Sequence, residues 1–327
     1  MVSGVGQGGV SQVEQRCFSD RLVAQARTKQ SRVIVGLDPQ LEFFPGYVQQ
    51  RLRQEADHAL LEEMIVQFNQ VVIRATAPVA VAYKPQAAFY EQYGFAGLRA
   101  LHRTIGLLRQ QGLLVIMDAK RNDVAHTAGA YATAWLAERH PLFAEANSWQ
   151  VDALTVNGYL GSDGIHPFQV VNPSAGLFVL AKTSNPSSGE LQDRILKDPD
   201  QAEVTVAEKM AQLVDGWGRG TEGSAGYGQV GMVVGATYPE MARRLRALAP
   251  QALILMPGIG AQGGSLDAIV AAGGDDGVGA YAASSRGLLY PFRPEEMPDD
   301  NWAQQAEARI QRVALQLREA IQNHFRA

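Results

Sequence analysis

One cysteine, Cys17, stands in 327 residues. No disulfide can close within the chain, so the fold must rest on its core, and this thiol usage fits a reducing cytoplasm. Positive charge is also short. Lys and Arg total 29 against 33 Asp and Glu, a formal net charge of −4, which leaves no basic face to grip nucleic-acid phosphates. No apolar run reaches the length of a bilayer span. The opening MVSGVGQGGVSQV lacks the cationic and apolar regions of a secretory signal. The six histidines (His58, His102, His126, His140, His166 and His324) show no zinc spacing, and no G-x-S-x-G elbow occurs. Cys17 has no evident base partner. What is left is a cytoplasmic protein that binds neither nucleic acid nor membrane and has no histidine metal site.

Lysine is scarce in a more telling way. There are six, and Lys84, Lys120 and Lys182 each directly follow an apolar run. Lysine supplies a compact ammonium with a tunable proton, which arginine does not. The runs themselves recur through the chain: VIVGLD (33–38), VAVAYK (79–84), LLVIMD (113–118), VDALTVN (151–157), LFVLAK (177–182), VGMVVGA (230–236), ALILMP (252–257) and DGVGAY (276–281). Several are apolar on both faces, as in a buried parallel sheet. Helical patterns lie between them, clearest over 56–74, 97–111 and 302–325. Eight alternations predict a single-domain α/β (β/α)₈ TIM barrel over residues 16–327, with an N-terminal helical extension. A doubly wound open sheet is the alternative. Residues 1–15 read as a disordered tail. The glycine-dense segment 215–229 reads as either a plain connector or an active-site lid.

A barrel carries its active site at the C-terminal ends of its strands. Those ends hold Asp38, Lys84, Asp118 with Lys120, Thr155 with Asn157, Lys182 with Thr183 and Ser184, and Ser284, Ser285 and Arg286. Residues two apart on a strand share a face, so Asp118 and Lys120 are expected to enter the mouth together. Asp123 and Thr127 are four apart and share a face if the next helix has begun. Buried charges need partners, so the array is either a stabilising ion network or a catalytic device. MPGIGAQGG (256–264) contains G-x-G-x-x-G, but after the seventh strand this suits a single phosphate better than a dinucleotide. Arg286 follows the eighth strand and offers a bidentate phosphate contact. Asp275 and Asp276 precede that strand and read as solvated turn residues.

These residues carry a resemblance. DAKRNDVAHTA (118–128) resembles the D-x-K-x-x-D signature of the orotidine 5′-monophosphate decarboxylase family. VGLDP, YKPQAAFYEQYG, TVNGYLG, KTSNPSSGELQD, PGIGAQGG and SSRGLLYP follow in the order of its longer bacterial, type 2 subfamily. The resemblance spans roughly residues 16–325. It implies a lyase that needs no cofactor and no metal, converting orotidine 5′-monophosphate to uridine 5′-monophosphate and CO₂ in the last step of de novo pyrimidine biosynthesis. It further implies that Lys120 protonates C6, that Asp118 lies beside the departing carboxylate, and that Asp123 and Thr127 reach a partner's site in a homodimer. Asp38 and Lys84 would hold the ribose, Ser184 the pyrimidine, and Gly260, Gln262, Ser285 and Arg286 the phosphate. Asn157 would be a further substrate-side contact. Three rivals use parts of the same frame: a Mg²⁺-dependent sugar-phosphate decarboxylase or synthase, a Schiff-base aldolase acting through Lys120 or Lys182, and a phosphate-binding barrel without catalysis.

Overall fold

The computed structural model describes residues 17–139, 149–197, 203–259 and 264–326. The expected tail, residues 1–15, lies outside them. Ten strands follow in chain order: β1 Val33–Leu37, β2 Ala80–Pro85, β3 Ile116–Arg121, β4 Ala153–Val156, β5 Gly176–Lys182, β6 Ile195–Leu196, β7 Val204–Thr205, β8 Val230–Val234, β9 Ile254–Pro257 and β10 Ala280–Ser284. β6 and β7 form a small antiparallel hairpin. The other eight are parallel and run in the order β2-β1-β10-β9-β8-β5-β4-β3. Bridges from Tyr83 to Val115 and from Gln86 to Asp118 bring β3 back to β2, so the sheet closes on itself. The expected barrel is the observed one.

The strands form because their residues are β-branched or small and apolar on both faces, which suits a sheet covered inside and out. β1, β4, β8 and β10 are buried at every position. Helices cover the outside. His58–Thr76 begins where Asp57 accepts from the amides of Ala59 and Leu60, an N-cap on an apolar stripe. The helix Gly94–Gln110 stops two residues before Gly112, whose φ of +67° a side chain would strain.

Inside the barrel a second core continues downward into α1 (Phe18–Lys29). Phe18, Leu22, Val23 and Ala26 join Ile34 and Phe178 there. Phe18 meets Phe178 edge to face, with ring centroids 5.9 Å apart. Gly176 makes room: a Cβ there would lie 2.2 Å from the Phe18 ring. The N-terminal extension is therefore the floor of the barrel.

The segment 215–229 belongs to that floor, which decides between the two readings of it. Its helix runs on to Gly218, and the remainder enters β8 from the N-terminal rim, opposite the strand ends. Asp20 of α1 accepts from the amides of Ser224 and Ala225 and from the Ser224 hydroxyl, and Ser19 bonds Gln229 and the Tyr227 carbonyl. A loop leading into a strand reaches the floor, whereas a lid must leave a strand end. Asp276 is also more than a solvated turn residue: it accepts from the Tyr227 hydroxyl at 2.6 Å and pairs with Arg27. The eighth barrel strand starts at Ala280 rather than at 276, because Gly274 and Gly277, with φ of +75° and +66°, form a turn first. Among the described residues no helix is long and apolar enough to cross a membrane.

Phe18→Ala opens a cavity under the barrel and is expected to cost about 3–5 kcal/mol, read as a lower denaturation midpoint. An unchanged midpoint would show that α1 is not part of the cooperative core.

Candidate active site

The strand ends converge on one carboxylate. Lys84 on β2 donates to Asp118 Oδ2 at 2.7 Å, and Lys120 donates to Oδ1 at 2.7 Å. Thr155 on β4 adds its hydroxyl to Oδ1 at 2.9 Å and accepts from the amides of Ala119 and Lys120, both at 3.0 Å. Asp38, one residue past β1, faces the same group, and its Oδ1 is buried with no hydrogen-bond partner among the described residues. A ligand hydroxyl would satisfy it.

The strand carrying the array is irregular. β3 reaches Arg121, three residues beyond the apolar run that predicted it, and its register on β4 slips between Met117 and Arg121. Lys120 sits in that bulge with φ of +49°, a left-handed backbone that a lysine adopts only when its surroundings enforce it. The bulge, rather than simple alternation along a flat strand, turns Lys120 back onto Asp118. Lys84 and Asp118 are largely buried, while the Lys120 side chain keeps 43% of its exposure, so its ammonium lies where the pocket opens.

Burial opposes the Asp118 charge, but Lys84 and then Lys120 outweigh it and hold the carboxyl well below the usual carboxylate range. Burial likewise works against the Lys84 ammonium, and Asp118 and Asp38 raise it above the ordinary lysine value. For Asp38 burial wins, and its carboxyl is shifted upward against the pull of Lys84.

Two cavities share this centre. One, of about 280 Å³, runs from Asp38, Lys84 and Asp118 to Ser285 and Arg286. The other, of about 200 Å³, runs from Lys120 and Thr155 to Ser184 and Asn185. A larger cleft of about 880 Å³ opens near Arg21, Asp152 and Asn172, and none of the predicted site residues lines it. Asp38, Lys84, Asp118, Lys120, Ser184, Ser285 and Arg286 are thus brought to one compartment. Gly260 and Gln262 lie outside the described residues. Asn157 sits just past β4, where its amide oxygen accepts from Tyr159 N at 3.0 Å, and it lines neither cavity. Asp123 and Thr127 stay apart from the array within one chain. Asp123 is in the turn after β3, with its carboxylate on Val124 N, and Thr127 is in the first turn of the helix Ala125–Leu136.

Sequence reasoning missed the role of Thr155. The signal was a hydroxyl one residue before the end of an otherwise apolar strand, in line with the inward-facing Ala153. Lys182, also at a strand end, is buried and donates to Asp193 at 2.6 Å.

The profile of the "Orotidine 5'-phosphate decarboxylase / HUMPS family" matches residues 31–289. An orotidine 5'-phosphate decarboxylase of Roseiflexus castenholzii is 40% identical over 95% of this chain and 99% of its own length. One of Rhodopirellula baltica is 39% identical over 92% and 99%. Among solved structures, Leishmania donovani OMP decarboxylase superposes with a TM-score of 0.66 at 31% identity, covering 91% of this chain and 99% of that one. Leishmania donovani UMP synthase superposes at 0.71 with 33% identity over 95% of this chain, which spans 56% of that longer protein. In fold and in sequence over most of its length, this chain belongs to the orotidine 5'-phosphate decarboxylase / HUMPS family.

Proposed function

We propose that this chain decarboxylates orotidine 5′-monophosphate to uridine 5′-monophosphate and CO₂, the last step of de novo pyrimidine synthesis, in the cytoplasm. The observation that carries this reading is the Asp118 carboxylate held between two ammonium groups, with Lys120 at the open side. In the reaction the bond from C6 to the carboxylate carbon breaks and its electron pair stays on C6. That carbon has no π system to receive the charge. A fixed ammonium beside it stabilises the pair as it forms, and preorganised charge of this kind is commonly the largest catalytic contribution. Lys120 then transfers a proton from Nζ to C6 and is reprotonated from solvent. Asp118, beside the substrate carboxylate, favours its departure.

The remaining residues hold the substrate. Asp38 and Lys84 take the ribose hydroxyls, and the unpartnered Asp38 Oδ1 suits that role. Ser184 faces the pyrimidine, with Asn157 a further contact on the substrate side. Ser285 and Arg286, with Gly260 and Gln262, take the phosphate. Phosphate binding far from C6 supplies energy that orients the reacting group.

A homodimer with shared sites accounts for Asp123 and Thr127, which no residue of their own chain draws into the array. Exposed Val124, Tyr159 and Leu160 lie on the same rim, and Leu160 and Asp123 both pack against Gly164. Apolar surface beside a carboxylate bonded only to its neighbouring amide among the described residues suits an interface with a second copy. The Mg²⁺-dependent rival needs carboxylate oxygens open to a cation, and Asp118 gives one to each lysine. The aldolase rival through Lys182 loses its nucleophile to Asp193.

Purified protein is expected to consume orotidine 5′-monophosphate in excess EDTA and release uridine 5′-monophosphate. Activity only on a keto-sugar phosphate with Mg²⁺ would assign the sister chemistry instead. Lys120→Ala should lower kcat by about 10²–10⁴-fold or more with an unchanged circular dichroism spectrum. Mixing inactive Lys120→Ala and Asp123→Ala proteins should restore about a quarter of wild-type activity, since half the dimers are mixed and each holds one intact site. No recovery after subunit exchange would confine the site to one chain.

The ion array also sets a pH dependence. Asp118 is depressed in the fold, so its stabilisation is complete above the unfolded value of about 3.9 and is lost as pH falls through the folded one. The stability gap between wild type and Asp118→Asn should therefore narrow as pH drops below about 4. Asp38 acts in the opposite sense but is common to both proteins. A gap constant with pH, measured by denaturant unfolding, would contradict the array.

A further inference from the structure

Lys182 is a buried ammonium that the proposed reaction does not use. It ends β5, yet it lines neither cavity. Its Nζ turns to Asp193 Oδ1 at 2.6 Å and lies 5.0 Å from the centre of the Tyr238 ring. Asp193 stands eleven positions along, at the far end of the loop that β5 feeds. Beside this pair, Gln192 makes a second closure: its Oε1 accepts from Thr183 N at 2.9 Å, and its Nε2 donates to Thr183 Oγ1 at 2.8 Å. Both ends of the loop 183–193 are thus fastened together at its base.

The segment held by that closure is the one facing the Lys120 cavity. Thr183, Ser184 and Asn185 all line it. The Thr183 hydroxyl donates a hydrogen bond to Asn185 Oδ1 at 2.6 Å, so the clasp extends to the third residue. From the other side Gly235 presses on the backbone. Its N–H donates to the Lys182 carbonyl at 2.7 Å, and a Cβ on it would stand 2.9 Å from Ser184 N, Cα and Cβ. Lys182 is buried and Asp193 half exposed, so removing the carboxylate leaves a costly unpaired ammonium, and the pair serves best to fix one arrangement.

We infer that Lys182, Asp193 and Gln192 form a clasp that positions residues 183–185 against the heterocyclic base of the substrate, making them positioning residues for the base rather than for the ribose phosphate. The inference rests on the reading of the pocket as a nucleoside monophosphate site. Of the ribose residues, Asp38 follows β1 and Lys84 lies on β2, and the phosphate residues Ser285 and Arg286 follow β10, strands that do not pair with β5, so the clasp acts on one half of the ligand.

The test compares two ligands on the full-length protein. Uridine 5′-monophosphate carries a base, and ribose 5-phosphate does not. Asp193→Asn is expected to weaken binding of uridine 5′-monophosphate and raise KM for orotidine 5′-monophosphate by about tenfold. Ribose 5-phosphate affinity should stay within about twofold of wild type. Gln192→Ala should act in the same direction without leaving a buried charge, and it serves if Asp193→Asn fails to fold. Asp193→Glu should recover part of the loss. Variants that weaken both ligands alike, or neither, while wild type turns over substrate, overturn the clasp alone. A wild-type protein that binds no uridine 5′-monophosphate and has no turnover overturns the reading of the pocket, and the clasp with it.

Discussion

The Asp118 carboxylate, shared between two ammonium groups in a nearly closed barrel mouth, is the constraint around which the rest is arranged. Removing one member of such a group strands a charge in a poorly hydrated place, at a cost of about 3–5 kcal/mol. Lys84 and Asp118 each favour the charged form of the other. Burial alone would push Asp118 toward its neutral form, and the two lysines reverse that. The same field that stabilises the fold locally keeps a negative oxygen fixed next to the place where a substrate carboxylate must sit. Stability and reactivity therefore draw on one set of contacts.

The barrel supplies what this array needs, namely rigidity from below and access from above. The charged residues come from three neighbouring strands, β1, β2 and β3, and β1 and β2 are buried along their length. Their backbones leave the side chains little freedom to drift apart. The bulge in β3 adds what a regular strand lacks, a turn of the chain that points Lys120 back over Asp118. Thr155 holds that bulge by accepting from two consecutive amides while donating to the carboxylate. Backbone irregularity and charge placement are two aspects of a single local structure.

Much of this was readable before any coordinates. The eight apolar runs are unmistakable because strands covered on both faces have no polar side to dilute the pattern. The charged residues that follow them mark the mouth. What could not be read were features that depend on pairing rather than on composition. The run that predicted β3 ends at Asp118, but its backbone pairing persists to Arg121 because Thr155 and the register slip support charged residues there. The glycine-dense segment looked equally like lid or connector, since composition does not say which rim a loop joins. Its connection, from helix into strand, does. Asp276 read as solvated because its partners, Tyr227 and Arg27, come from distant parts of the chain.

The floor carries a consequence for how the molecule assembles. α1 is the first described element, yet its hydrogen bonds run to residues about two hundred positions away, at Ser224, Ala225, Tyr227 and Gln229. Closing contacts of such long range is entropically expensive and slow. During synthesis, Phe18 and its neighbours emerge well before β8 and must wait, with their apolar face unburied, until that strand and the loop before it have left the ribosome. The barrel can therefore be sealed from beneath only late, and the interval before sealing is when the nascent chain is most exposed to aggregation.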